Sequence, residues 1–281
     1  MMKKTLLLAT TLSLTLGTGF AAPKPVTKSQ SGGQGVLETF EKAVPVAEDF
    51  THGDSLKLDA PLNGQSAGTG WQDAWSGDEA FTVGELEKGK KSGGEDLSFS
   101  AAAKATTLGT RKRNSTFTIQ RRLKTPIAKA TETWVEFYLH SSGRVTAGIG
   151  LVDSEGQLLV GASKDGGLFE ESGGPKTTGF IRLFDAAGSF GQNVSAPEDK
   201  AIANGLRWHR ILLRIKGDGK GQAVAQVWVN PDDSATVSEP ACSLDFAESS
   251  DISSVQLRAA DFYDNVPGDI QITGLSIKTI P

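Results

Sequence analysis

The sequence predicts an all-β protein, a sandwich of two antiparallel sheets, on three observations. After Glu48 the 281-residue chain breaks into short β-rich runs separated by Gly, Asp, Asn and Ser, with no helical period sustained beyond two turns. Individual runs alternate between apolar and polar residues, so each strand buries one face. With no helices to cover them, that many one-sided strands must bury their apolar faces against one another.

The elements follow in chain order. The opening "MMKKTLLLATTLSLTLGTGFAA" sets a lysine pair before an apolar run and the small residues Gly19 and Ala21, which is the layout of a secretory signal spanning residues 1–21. Its apolar run is short for a membrane span, and no later stretch approaches the roughly 20 apolar residues a span requires. A secreted or periplasmic protein without a membrane span is expected. Residues 22–45 begin "APKPVTKSQSGGQG", too poor in apolar side chains to offset the entropy of ordering, and read as a flexible linker. Inside it "VLETFEKAV" sets Val36, Leu37, Phe40 and Val44 at helical spacing, a short helix that is marginal unless it packs on something. The sandwich domain is expected over 46–281.

Its candidate strands are "EAFTV", "DLSFSA", "STFTIQRRL", "TWVEFYLH", "VTAGIGLV", "QLLVGAS", "TGFIRLF", "LRWHRILLRIK", "QAVAQVWVN", "SSVQLRA" and "DIQITGLSIKTI". "DSEGQ" at 153–157 and "GDGKG" at 217–221 read as tight hairpin turns. The inward sets are Val135, Phe137 and Leu139; Ile211, Leu213 and Ile215; and Ala223, Ala225, Val227 and Val229. In the last strand the phase flips between Ile270/Ile272 and Leu275/Ile277, which places a β-bulge at Gly274.

Composition narrows the partners and the chemistry. Loss of Lys3 and Lys4 with the signal takes the formal charge from −4 to −6, a poor match to nucleic acid. Cys242 is the only cysteine, so the fold has no internal disulfide and no thiolate metal cluster.

The segments "EDF" at 48–50, "LNGQSAGTGWQDAW", "ETWVEFYLH", "GIGLVD", "RWHRILLRIKGDGKGQAVAQVWVNP" and "SSVQLRAADFYDN" resemble secreted bacterial proteins with the concanavalin A-like (LamG-like) jelly roll. The resemblance runs from about residue 48 to the end and implies a jelly-roll sandwich. It also implies that the Gly-rich crossing ends in Trp71 and Trp75, which either plug one end of the sandwich or stack on a sugar.

Several stretches carry motifs with chemical meaning. Gly64, Ser66 and Gly68 match G-x-S-x-G, but a nucleophile elbow needs a strand before the serine and a helix after it, and neither is expected here. The paired glutamates of this fold's glucanases, E-x-D-x-E, are missing from the sequence. His52, His140 and His209 are scattered, so no His-rich metal site is expected. No cofactor is required; Asp261, Asp264 and Asp269 are the residues that could take Ca²⁺, although they lack a compact ligand spacing. The basic stretch Arg111, Lys112, Arg113, Arg121, Arg122 and Lys124 either attracts an anionic polysaccharide or charges a sheet edge against further pairing.

The candidate ligand-binding residues are those on the polar side of the central strands: Trp134, Glu136, Tyr138 and His140 on one, Gln226 and Trp228 on another. Flat aromatics beside hydrogen-bonding groups suit a sugar ring, unless a loop covers them. Three functions are compatible: a secreted non-catalytic glycan-binding or extracellular matrix module, whose partner would be a polysaccharide or cell-surface glycan; a structural or adhesive cell-envelope protein; and a jelly-roll polysaccharide lyase using Tyr138, His140 and an arginine such as Arg144. On the first-order question of export, the mature chain is expected to begin near Ala22. N-terminal sequencing of exported protein checks this, and a retained Met1 would contradict it.

Overall fold

The computed structural model describes residues 36–48, 56–86, 99, 101–107, 116–141, 145–165, 180–187, 208–231, 239–261 and 268–280. Residues 1–35, which hold the expected signal and the start of the expected linker, lie outside them. The elements run α1 (Val36–Lys42), β1 (Val44–Glu48), β2 (Ala60–Pro61), β3 (Ser76–Gly77), β4 (Phe81–Glu85), β5 (Ala101–Thr107), β6 (Thr116–Ile127), β7 (Glu132–Ser141), β8 (Val145–Val152), β9 (Leu158–Asp165), β10 (Phe180–Asp185), β11 (His209–Gly217), β12 (Gln222–Val229), β13 (Cys242–Ala247), β14 (Ile252–Asp261) and β15 (Gly268–Ile280).

Two antiparallel sheets form a jelly-roll sandwich. One has nine strands in the order β13-β12-β11-β7-β15-β5-β4-β2, with β1 also paired to β15; the other has six in the order β10-β9-β8-β14-β6-β3. Their inner faces make one core. Val135, Phe137 and Leu139 of β7, with Ile211, Leu213 and Ile215 of β11, join the same cluster as Ala147, Ile149 and Leu151 of β8 and Val255 and Leu257 of β14. Each large aliphatic side chain buried there contributes about 1.5–3 kcal/mol relative to exposure. The Cys242 thiol is buried in this core.

Three segments differ from the sequence expectation. Residues 36–45, expected to close a flexible linker, belong to the sandwich: α1 packs on the outer face of the nine-stranded sheet and β1 pairs with β15. Packing supplies what a seven-residue helix lacks by itself. Strand β5 runs on past the expected "DLSFSA", whose residues other than Phe99 and Ala101 lie outside the described residues; Ala101, Ala103 and Ala105 are on its core side. Strand β13 was not expected at all; its inward Cys242, Leu244 and Phe246 alternate with Ser243, Asp245 and Ala247. Asp is depleted in strands and Ser is not among the residues enriched there, so the alternation is what marks it.

Two devices set the strand registers. At both expected hairpins an aspartate begins the turn. The Asp153 carboxylate accepts the N–H groups of Glu155 and Gln157, and the Asp218 carboxylate accepts those of Lys220 and Gln222. At Gly274 the pairing of β15 with β7 slips between Thr273 and Ser276, so Ile272 and Leu275 both face the core. The slip is also where β15 changes neighbour, from β5 over 268–272 to β1 over 276–279. Gly274 has φ +61°, and a Cβ there would stand 2.6 Å from the Phe99 ring and 2.9 Å from the Tyr138 ring.

Two outcomes follow from this geometry. Gly274→Ala should lose about 2–4 kcal/mol in chemical denaturation, because it adds left-handed strain to an overpacked contact. The backbone bonds from Gln157 and Lys220 hold Asp153 and Asp218 below the usual carboxylate range. A depressed folded-state pKa gives stability that is present above the unfolded value of about 3.8 and is lost as pH falls through the folded value. Replacing both with Asn keeps an acceptor but removes the titration, so the acid limb of a melting-temperature profile should become shallower.

Candidate functional site

Strand alternation does bring Trp134, Glu136, Tyr138 and His140 of β7 and Gln226 and Trp228 of β12 onto one outer face, joined through β11 between them. That face is closed. Trp134 and Trp228 stack with ring centroids 5.7 Å apart, and with Leu212 they form an apolar floor under Val36, Phe40 and Ala43 of the α1 segment. Only 2% of Trp134 and 4% of Trp228 remain exposed. Phe40 tilts on Trp134 at 6.4 Å, with the Lys278 ammonium 3.9 Å and the Arg210 guanidinium 5.9 Å from its ring centroid.

A ladder of charges frames this apolar patch. Glu132 accepts two bonds of 3.0 Å from Arg214, with Lys216 at 3.3 Å and the Trp134 indole N–H at 3.1 Å. Burial pushes the Glu132 carboxyl up, but the Arg214 bonds and charge outweigh it and hold the group below its ordinary range. Arg214 also lies over Trp134 at 5.5 Å and donates to Gln226. Glu136 pairs with Arg210 at 2.5 Å. The other half of the face is equally covered: Tyr138 packs on Phe99 and clusters with Trp208, and the His140 ring lies 5.4 Å from Trp208. Arg144 lies outside the described residues.

The remaining sequence motifs are structural in this molecule. Ser66 is exposed in the crossing between β2 and β3, with neither strand nor helix adjoining it as an elbow requires. Trp75 is buried in the core, and Trp71 donates its indole N–H to the Glu48 carbonyl at 2.9 Å. Gly70 lies so close to the Val46 backbone that no Cβ would fit. Of the basic stretch, Arg111, Lys112 and Arg113 lie outside the described residues and Lys124 is exposed, while Arg121 and Arg122 are engaged. Arg121 is buried and donates to the Ala67 and Asp73 carbonyls, while Arg122 pairs with the Asp73 carboxylate at 2.6 Å, so both hold the crossing along β6. Asp269 is exposed, Asp264 lies outside the described residues, and no cluster of three or more His, Cys, Asp or Glu suited to a metal ion occurs among the described residues.

The outer face of the six-stranded sheet has a different construction. One row of paired residues reads Phe184, Gly161, Gly150, Gln256 and Gln120 from β10 to β6; the next reads Arg182, Ser163, Gly148, Arg258 and Thr118. The glycines leave room for long side chains to lie flat. A Cβ on Gly161 would meet the Phe184 ring, and one on Gly150 would stand 2.8 Å from Leu158 and 3.5 Å from the Arg258 stem. Arg258 and Phe184 start from backbones three strands apart, about 14 Å. The guanidinium nevertheless lies 5.2 Å from the Phe184 ring centroid, so the arginine extends across the glycine floor to reach it. Its Nη1 donates to Gln256 Oε1 at 3.0 Å. Phe184, Gln256, Arg258, Gln120 and Thr118 are all half-buried, so each still presents surface to solvent.

Sequence reasoning missed this face, although a signal was present. In "VTAGIGLV" Gly148 and Gly150 alternate with the core residues Ala147, Ile149 and Leu151, and in "SSVQLRA" Gln256 and Arg258 share the outward phase. A strand with glycine at two successive outward positions has an outer face shaped there by its neighbours' side chains.

No protein-family model matches the chain, and no curated protein matches it. Solved structures with a similar fold include an endo-β-1,4-glucuronan lyase from the fungus Trichoderma reesei, at 12% identity over 80% of this chain and 96% of that one, with a TM-score of 0.42. They also include the carbohydrate recognition domain of Emp47p, at 12% identity over 80% and 96%, with a TM-score of 0.37. The exoplasmic/lumenal domain of VIP36 in a Ca²⁺/Man-bound form has 9% identity over 79% and 89%, with a TM-score of 0.38. The likeness is one of fold alone, and the assignment as a jelly-roll sandwich rests on the strand order above.

Because α1 seals the tryptophan pair, Phe40→Ala and Trp228→Ala should each lower stability by about 3–5 kcal/mol, the scale of a large-to-small change in a packed cluster. Urea denaturation of the purified mature chain measures this. A loss below about 0.5 kcal/mol for both variants would mean that the helix does not hold the face closed in solution.

Proposed function

We propose that this chain is a secreted, non-catalytic glycan-binding module of the extracellular matrix, with its ligand laid on the outer face of the six-stranded sheet. The observation that carries the reading is the flat platform there, in which Phe184 and Arg258 lie across Gly161 and Gly150 with Gln256, Gln120 and Thr118 alongside. A sugar ring offers a C–H face to an aromatic or guanidinium plane and hydroxyls to amides at its rim. The signal segment supports export. Tyr138 and His140, which a lyase reading would require at an open groove, are packed against Phe99 and Trp208 instead.

The test is affinity electrophoresis of the mature protein through gels containing soluble plant, algal and bacterial polysaccharides. At least one should retard it, and Phe184→Ala and Gln256→Ala should each weaken retardation about tenfold, the scale of one aromatic or hydrogen-bond contact, with unchanged melting temperature. Retardation by no polysaccharide, or undiminished retardation of both variants, would remove this reading.

A further inference from the structure

Arg258 differs from the three arginines that pair with an acid, and from Arg121, whose donors are taken by two backbone carbonyls. Arg122, Arg210 and Arg214 each hold a carboxylate, from Asp73, Glu136 and Glu132. Arg258 is half-buried, yet its hydrogen bond goes to a neutral amide and its other close contact is the Phe184 ring. No carboxylate pairs with it among the described residues. Taking a cation partly out of water without a counter-charge is unfavourable, and an arriving anion would offset that cost. Burial pulls the guanidinium below the ordinary arginine value, with no opposing charge to restore it.

Gln256 Oε1 accepts from Arg258, which leaves the Gln256 NH₂ as the donor end of that amide. Nη1 is committed to Gln256, while Nε and Nη2 have no acceptor among the described residues. The platform therefore sets guanidinium and amide donors side by side at Arg258 and Gln256, with the Gln120 amide and the Thr118 hydroxyl on the neighbouring strand. The planar fork of a guanidinium matches the two oxygens of a carboxylate better than it matches a lone hydroxyl.

From this geometry, and resting on the glycan reading above, we infer that the face formed by Arg258, Gln256 and Phe184 binds an acidic polysaccharide. The sugar carboxylate sits on Arg258 Nε and Nη2 and the Gln256 NH₂, and the sugar ring lies toward Phe184. Added salt weakens this contact, since it rests on opposite charges at a partly exposed site.

The experiment measures the mature chain by calorimetry against polygalacturonate, alginate and hyaluronan, each beside its carboxyl-reduced form, together with neutral mannan and xylan and a sulfated carrageenan. The expected result is binding to at least one polyuronate that weakens at least tenfold on carboxyl reduction. Arg258→Gln should produce a similar loss without lowering the melting temperature. Arg258→Lys should recover part of the affinity, because an ammonium keeps the charge but not the fork. Binding to a neutral chain with no gain from carboxylates, or an Arg258→Gln variant that binds polyuronate normally, overturns the carboxylate assignment and leaves the glycan reading standing. Preference for carrageenan over every polyuronate overturns it as well. Failure to bind any of these chains overturns both readings together.

Discussion

The alternation of side chains along a strand is the constraint on which the rest of this molecule depends. A sandwich of two sheets has one interior, so every strand that fills it also carries a second, outward set of side chains. In β7 the inward Val135, Phe137 and Leu139 fix Trp134, Glu136, Tyr138 and His140 outward, whatever those residues then do. The interior is solved once for both sheets, whereas each outer face needs its own solution. Here the two solutions are opposite.

On the nine-stranded sheet the outward set includes Trp134, Leu212 and Trp228, too much apolar surface to leave in water. The chain covers it with its own first described helix, and the Glu132–Arg214 and Glu136–Arg210 pairs surround the seam. The same arrangement explains why so short a helix forms. Its seven residues gain little from helical hydrogen bonds alone, so its order comes from Phe40 lodged among Trp134, Arg210 and Lys278. Helix and floor each need the other to stay dry.

Legibility in the sequence followed this division. The inward sets, the hairpins at Asp153 and Asp218, and the bulge at Gly274 were all readable, because each is dictated within a few residues by strand period or turn chemistry. Which outer face stays open was not readable, because that depends on where a distant segment lands. The polar alternation of β7 and β12 is compatible with a ligand or with a lid, and the low apolar content before residue 36 concealed that Val36, Phe40 and Ala43 would be the lid. Strand β13 was missed for a different reason: its alternation is intact, but Ser243 and Asp245 are weak strand formers whose register comes from pairing with β12.

The glycine face is the opposite case, in which an apparent defect of sequence has a structural use. A glycine within a strand costs about 0.5–1 kcal/mol relative to alanine, and Gly148, Gly150 and Gly161 lie on one outward surface. A Cβ at Gly161 would stand where the Phe184 ring now lies, and one at Gly150 would press on Leu158 and touch the Arg258 stem. Keeping that surface bare lets an arginine reach across the sheet to a phenyl ring and remain half-desolvated without an acid beside it. An outer face that needed only to be soluble would be served more cheaply by Thr, Lys and Glu, which favour strands or water and need no such space. The cost of the glycines and the uncompensated charge of Arg258 therefore point the same way, toward a surface shaped for something that arrives from outside.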